Sequence, residues 1–165
     1  MDENPIKRMK YVNTGEVNSG GIETILNSGA IGSCVVITAF NPELKMGVMA
    51  HVMLPGNCPD KNQAHATRYA ANAIEEMLNQ LNYFEIKKEN IEICLVGGAN
   101  VLQRENDTIG KDNLVSVEKL LQEKQLEIKA KAIGGLERRT VLFDIKKGCI
   151  NYTVGDSKQK ILWQT

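Results

Sequence analysis

Two apolar runs, Cys34 to Phe40 and Met46 to Met53, flank the short stretch Asn41-Pro42-Glu43-Leu44-Lys45. Asn and Pro form turns, and strand-like runs joined by such a turn fold back as an antiparallel hairpin. This hairpin constrains the chain more than any other feature, because a one-residue slip would turn every side chain of a strand to the other face. Folding about residue 42 or 43 places Cys34 opposite residue 51, or one residue from it, and residue 51 is a histidine. Directly opposed side chains have Cβ atoms roughly 4.5–5.5 Å apart. A thiol and an imidazole at that separation can form an ion pair, which makes the thiolate a nucleophile. Gly32-Ser33, just before Cys34, permits close backbone approach, and the N–H groups of Ser33 and Cys34 can face an oxyanion. A strand cysteine among valines is more often an inert small hydrophobe, and a histidine on an apolar strand is more often a satisfied core residue. The Gly-Ser approach and the placement across one hairpin set this pair apart.

The remaining composition narrows the class. At 165 residues, 42% of them apolar, the chain can bury one full core, so a single domain over 1–165 is expected. Twenty basic and twenty acidic residues cancel, with no strongly basic segment, which argues against a nucleic-acid footprint. No apolar stretch approaches the roughly 20 residues that span a bilayer. Met1-Asp2-Glu3-Asn4-Pro5 lacks the apolar core of a signal peptide, so a cytoplasmic location without membrane insertion is expected. Cys34, Cys58, Cys94 and Cys149 form no CxxC pair and no metal-like spacing. Free thiols are expected, with no metal and no cofactor. Cys94 and Cys149 lie in apolar runs and read as core, while Cys58, in the Pro/Gly loop 55–60, reads as exposed. His65, the other histidine, reads as a surface residue at a helix start.

Periodicity gives a mixed fold. Strands are expected over 6–13 and Ile22 to Leu26, with a turn at Asn27-Ser28-Gly29 leading into the cysteine segment. Ala70, Ala73, Ile74, Met77, Leu78 and Leu81 form the stripe of an amphipathic helix running from about Asn62 to Leu81. Ile91 to Val96 reads as a buried strand ended by Gly97-Gly98. A second helix begins with Asp112 or Asn113 as its cap, carrying Leu114, Val117 and Leu121 on one face. Glu127 to Ile133, Thr140 to Asp144, Cys149 to Val154 and Lys160 to Trp163 complete the strands, with Trp163 packing an edge. About eight strands and two helices make an α+β domain.

Ile31-Gly32-Ser33-Cys34-Val35-Val36, followed by His51-Val52-Met53-Leu54-Pro55, closely resembles the chemoreceptor glutamine deamidases of chemotaxis, the CheD family. The resemblance extends through Arg68-Tyr69-Ala70, Gly97-Gly98-Ala99-Asn100, Ile109-Gly110 with Asn113, Gly134-Gly135, Arg138-Arg139 and Gly148, over roughly residues 6–154. It implies a β-sandwich-like core of mixed sheets flanked by helices, in α/β/β/α layers. It also implies the substrate, glutamine side chains of methyl-accepting chemotaxis receptors, and a second partner, a CheC-type phosphatase. Cys34 would attack as thiolate and His51 would stabilise it, protonate the leaving nitrogen and activate water. Ser28 stands six residues before Cys34, where the family typically carries threonine, and is the expected orienting partner of the ring by the logic of a triad. Ala71 departs from the aspartate often found there. A non-catalytic receptor- or phosphatase-binding adaptor, and a cysteine hydrolase with another acyl substrate, remain the competing readings.

Overall fold

The computed structural model describes residues 6–60 and 64–165. Ten strands form two five-stranded sheets. The first sheet holds β1 (Arg8–Tyr11), β3 (Thr24–Ile31), β8 (Arg139–Asp144), β9 (Cys149–Val154) and β10 (Lys160–Gln164), in that spatial order. The second holds β2 (Val17–Gly20), β5 (Met46–Val52), β4 (Val35–Asn41), β6 (Glu92–Gly97) and β7 (Ile128–Ile133). Each sheet is mixed: β1 pairs β3, and β6 pairs β7, in parallel, while the other pairings are antiparallel.

The central strand β4 is buried along its whole length because both of its faces are covered. Val35, Ile37 and Ala39 face the helices, together with Val48, Ala50 and Val52 of β5. Val36 and Phe40 face the first sheet, meeting Leu26, Val141, Phe143 and Ile150. A strand covered on both sides reads as a continuous apolar run, as β4 does.

Helix α1 (Ala70–Tyr83) buries Ala70, Ala73, Ile74, Met77 and Leu81, the expected stripe. It begins at Ala70, and the Asn62 end of the expected helix lies outside the described residues. The segment after β5 caps it: the Ala70 and Ala71 N–H groups donate to the carbonyls of Leu54 and Gly56, both at 2.9 Å. These are donors that a helix start otherwise leaves unpaired. The Cys58 N–H donates to Asn72 Oδ1 at 2.8 Å. Cys58 is therefore buried, contrary to its reading as an exposed loop thiol.

Helix α2 spans Ile109–Glu123 and starts three residues before the expected cap. Thr108 is the cap residue, and its hydroxyl donates to the Asp112 carboxylate at 2.8 Å. Asp112 thus sits in the first turn, where the helix dipole favours an anion. Asn113 is released from capping and becomes fully buried. Both helices pack on the outer face of the second sheet, in one core with Val35, Ile37, Ala50 and Leu95. Among the described residues the layers are α/β/β, so the expected fourth layer is absent while the α+β class and the sandwich stand. Trp163 Nε1 donates to the Glu92 carboxylate, tying the edge strand β10 to β6 of the other sheet.

Candidate active site

The chain crosses from the first sheet to the second through Gly32-Ser33-Cys34, the three residues between β3 and β4. Cys34 therefore sits at a corner of the sandwich, at the end of β4 rather than within it. It is half-buried, while Cys58, Cys94 and Cys149 are buried.

In the β4–β5 hairpin Val35 pairs with Val52 and Val36 with His51. Cys34 extends this register to face Met53, so it lies two residues from His51 on the ladder. Side chains two apart share a face. Cys34 and His51 therefore project from the same side of the second sheet, as diagonal neighbours rather than as a directly opposed pair. Such neighbours are about 7–8 Å apart, somewhat less at Cβ, within reach of long or ring side chains. The turn folds about residues 43 and 44, one position later than expected, which preserves parity.

His51 is buried, and its Nδ1 lies 2.9 Å from the carbonyl oxygen of Val12. A carbonyl only accepts, so Nδ1 carries the proton and Nε2 is left as a base. Burial lowers the His51 pKa, opposed by the Val12 hydrogen bond and by the Glu16 charge. Burial raises the Cys34 pKa, opposed by the Thr14 side chain. Both shifts favour a neutral thiol beside a neutral imidazole at rest over a standing ion pair.

Ser28 has a different position from the one expected. It lies inside β3, at a register break between Asn27 and Ala30, where Gly29 adopts φ 66°. That is a bulge with glycine in the left-handed region, where the sequence suggested a turn. Asn27 pairs with Leu142 and Ala30 with Thr140, leaving Val141 without a β3 backbone partner. The Ser28 hydroxyl fills the gap, accepting from Val141 N at 2.9 Å and donating to the Gly29 carbonyl at 2.7 Å. The ring of His51 takes Val12 instead. Ser28→Ala is expected to strand a buried amide and cost about 1–3 kcal/mol of stability, with only a modest loss of turnover. Ser28→Thr should keep both. Denaturant unfolding alongside steady-state rates checks this, and an alanine variant as stable as wild type contradicts it.

Among the described residues, neither Ser33 N–H nor Cys34 N–H donates a hydrogen bond. The neighbouring carbonyls are occupied: Cys34 O accepts from Gly98 N, and Gly32 O from Ala99 N, both at 2.9 Å. Asn113 Nδ2 donates to Ser33 O and to Met53 O, each at 3.0 Å. One buried amide thus ties the backbone before the cysteine to the backbone after the histidine. Helix α2 reaches them because Gly110 leaves no Cβ, which would stand 2.8 Å from the carbonyl oxygens of Gly98 and Ala99. Periodicity offered Asn113 as a helix cap, and the resemblance placed it in a motif with Ile109-Gly110 without giving it a role. For the Val12 carbonyl there was no signal at all, since any residue presents one.

Arg138 pairs with Asp156 on the surface, and Arg139 donates to the Gly134 carbonyl at 2.7 Å. Asn100 bonds within its own loop, to Arg104. His65 is exposed. None of these joins the Cys34–His51 pair. Among the described residues no cluster of His, Cys, Asp or Glu is arranged to hold a metal, and no helix is long and apolar enough to cross a membrane.

A half-buried thiol and a base-competent imidazole on one sheet face, beside two undonated amides, are groups of the kinds that cysteine-dependent acyl transfer employs. The family of CheD chemotactic sensory transduction proteins matches residues 53–153, and the chain belongs to that family. It is 39% identical to a probable chemoreceptor glutamine deamidase CheD of Chlorobium luteolum, over 91% of this chain and 75% of that protein. A chemoreceptor glutamine deamidase CheD of Thermotoga maritima is 32% identical, over 84% of this chain and 87% of that protein. A probable CheD of Methanococcus maripaludis is also 32% identical, over 85% of this chain and 88% of that protein.

Proposed function

We propose that this protein is an amidohydrolase that converts glutamine side chains to glutamate on methyl-accepting chemotaxis receptors. The observation that carries this reading is the shared sheet face of Cys34 and His51; the deamidase names of the relatives supply the substrate class. Cys34 Sγ attacks the side-chain amide carbon as His51 Nε2 removes the thiol proton. The tetrahedral oxyanion is received by the Ser33 and Cys34 N–H groups. His51 returns the proton to the leaving nitrogen, the C–N bond breaks, and ammonia departs from a thioester. His51 then takes a proton from water, whose oxygen attacks the thioester carbon. The C–S bond breaks, glutamate forms and the thiol is restored. Ser28 supports this site from the β3 bulge. Exposed Met53 and Val101 lie beside the cysteine segment, an apolar rim suited to a protein substrate.

The test is incubation with the cytoplasmic fragment of such a receptor, followed by peptide mass spectrometry. The mass change of an amide-to-acid exchange at particular glutamines is the expected result. Tight binding of receptor, or of a CheC-type phosphatase, with no such change would replace the enzyme with an adaptor. Turnover of simple thioesters with no receptor deamidation would point to another acyl substrate.

A further inference from the structure

The outward face of the first sheet carries a row of five side chains that spans it from edge to edge. Tyr11 on β1 pairs with Asn27 on β3, Asn27 with Leu142 on β8, Leu142 with Asn151 on β9, and Asn151 with Ile161 on β10. Paired residues share a face, and chain neighbours take opposite ones. Leu26, Val141, Phe143 and Ile150 point into the sandwich, so the row points out. Among the described residues no helix covers it, since α1 and α2 pack on the second sheet. Tyr11 and Ile161, at the two edges, are 58% and 62% exposed. Met9 adds to the apolar surface, its sulfur 3.5 Å from Asn27 Nδ2. The next row, Ala30, Thr140 and Thr153, is small and uncharged. Toward the two ends of the face the charges are matched, Lys7 with Asp144 and Arg138 with Asp156. In a chain that is 24% charged, an outward sheet centre without a charge has the composition of an interface core.

We propose that a second copy of this chain docks on this face, sheet on sheet, about a two-fold axis that runs along β8 through Leu142. The row reads aromatic, Asn, Leu, Asn, aliphatic, and is symmetric about its centre. An isologous contact needs that symmetry, because residue i must meet j as j meets i. Rotation about this axis sets Tyr11 on Ile161 of the second copy, Asn27 on its Asn151, and Leu142 on its Leu142. A side-chain amide both donates and accepts, so each Asn27–Asn151 contact is self-satisfying. Sheets packed face to face keep their strands within about 30° of each other, which lays five strands over five. The face measures about 24 Å across the strands and about 17 Å along them. Seen flat that is roughly 400 Å², against the roughly 800 Å² that each partner gives to a standard interface, so the association is weak. The matched ion pairs at both ends leave no net charge there to hold the copies apart. Cys34 sits at the corner between the sheets, off this face, so the dimer keeps both thiols open and does not depend on what they do.

The test is sedimentation equilibrium of the full chain from about 1 to about 500 μM, with a reversible monomer–dimer Kd on the order of 1–100 μM expected for wild type. Leu142→Lys sets two cations against each other on the axis and should raise Kd at least about tenfold. A charge pair then checks the register. Asn27→Asp with Asn151→Asp places like charges opposite each other between copies and should dissociate the dimer, while Asn27→Asp with Asn151→Lys places opposite charges there and should restore it to within about threefold. Within one chain β8 separates the two positions, and Asn27→Asp keeps the acceptor that holds Gly29 N–H, so both double variants leave the fold intact. Thermal unfolding of each variant checks this. Wild type that stays monomeric throughout the range overturns the proposal, as does a dimer indifferent to Leu142→Lys. Equal behaviour of the two double variants overturns it too. Monomeric wild type that binds a receptor fragment, and loses it with Leu142→Lys, would assign the face to that partner instead.

Discussion

Cys34→Ala should lose deamidation of a receptor fragment by a factor on the order of 10³ or more while unfolding at nearly the wild-type temperature. The size of the effect follows from chemistry: an amide is a poor electrophile, and the thiol is the group proposed to bond to its carbon. The small effect on stability follows from position. Cys34 is half-buried at the corner between sheets, with its carbonyl, not its sulfur, engaged in the sheet bond to Gly98. Cys34→Ser should be almost as inactive, because a hydroxyl is far harder than a thiol for His51 to deprotonate. Burial raises the Cys34 pKa and lowers that of His51, so the limiting ionisation on the alkaline side is the thiol. The rate of Cys34 alkylation should therefore keep rising through pH 8, where a stored ion pair would already be on its plateau. Cys94, fully enclosed and with its thiol pushed up to about 11, should label far more slowly. Wild-type turnover in the alanine variant, or preferential labelling of Cys94, would remove Cys34 from the mechanism.

Gly97→Ala should damage stability and activity together. Gly97 has φ 121°, a conformation that side chains resist, and a Cβ there would lie 2.2 Å from the Cys34 carbonyl oxygen. The obstacle is backbone, which cannot swing aside as a flexible side-chain tip can. Strain of about 1–3 kcal/mol and a comparable overpacking cost place the loss at roughly 2–6 kcal/mol. Relief requires moving the Cys34 peptide away from β6, which breaks the bond from Gly98 N and displaces the sulfur. A chemical denaturation midpoint well below that of wild type is expected, with poor turnover in the fraction that remains folded. A variant with wild-type stability and kcat would show that the β4–β6 junction is not what holds the cysteine.

The shared face of Cys34 and His51 was readable because strand alternation is strict: any register of the right parity leaves them on one side, so an error of two residues in pairing did no harm. The α1 stripe was readable because a 3.6-residue period survives any change in where the helix starts. Ser28 misled because Asn-Ser-Gly favours turns and bulges alike, and only the skipped Val141 on β8 decides between them. Asn113 misled because an asparagine before an apolar stripe fits a cap. Its burial came from Gly110 letting α2 close on residues 98 and 99, a contact between distant segments.

The sequence by itself determined both helices, most of the strands and the hairpin that puts Cys34 and His51 on one face, since each depends on local periodicity. Tertiary structure alone decided that both helices cover the same sheet. It also decided that a carbonyl of Val12 holds the His51 ring, and that one buried amide of Asn113 spans Ser33 and Met53. The reason is physical: backbone donors and acceptors are the same in every residue. Which of them meets a given side chain depends on how remote segments pack, and no local pattern records that.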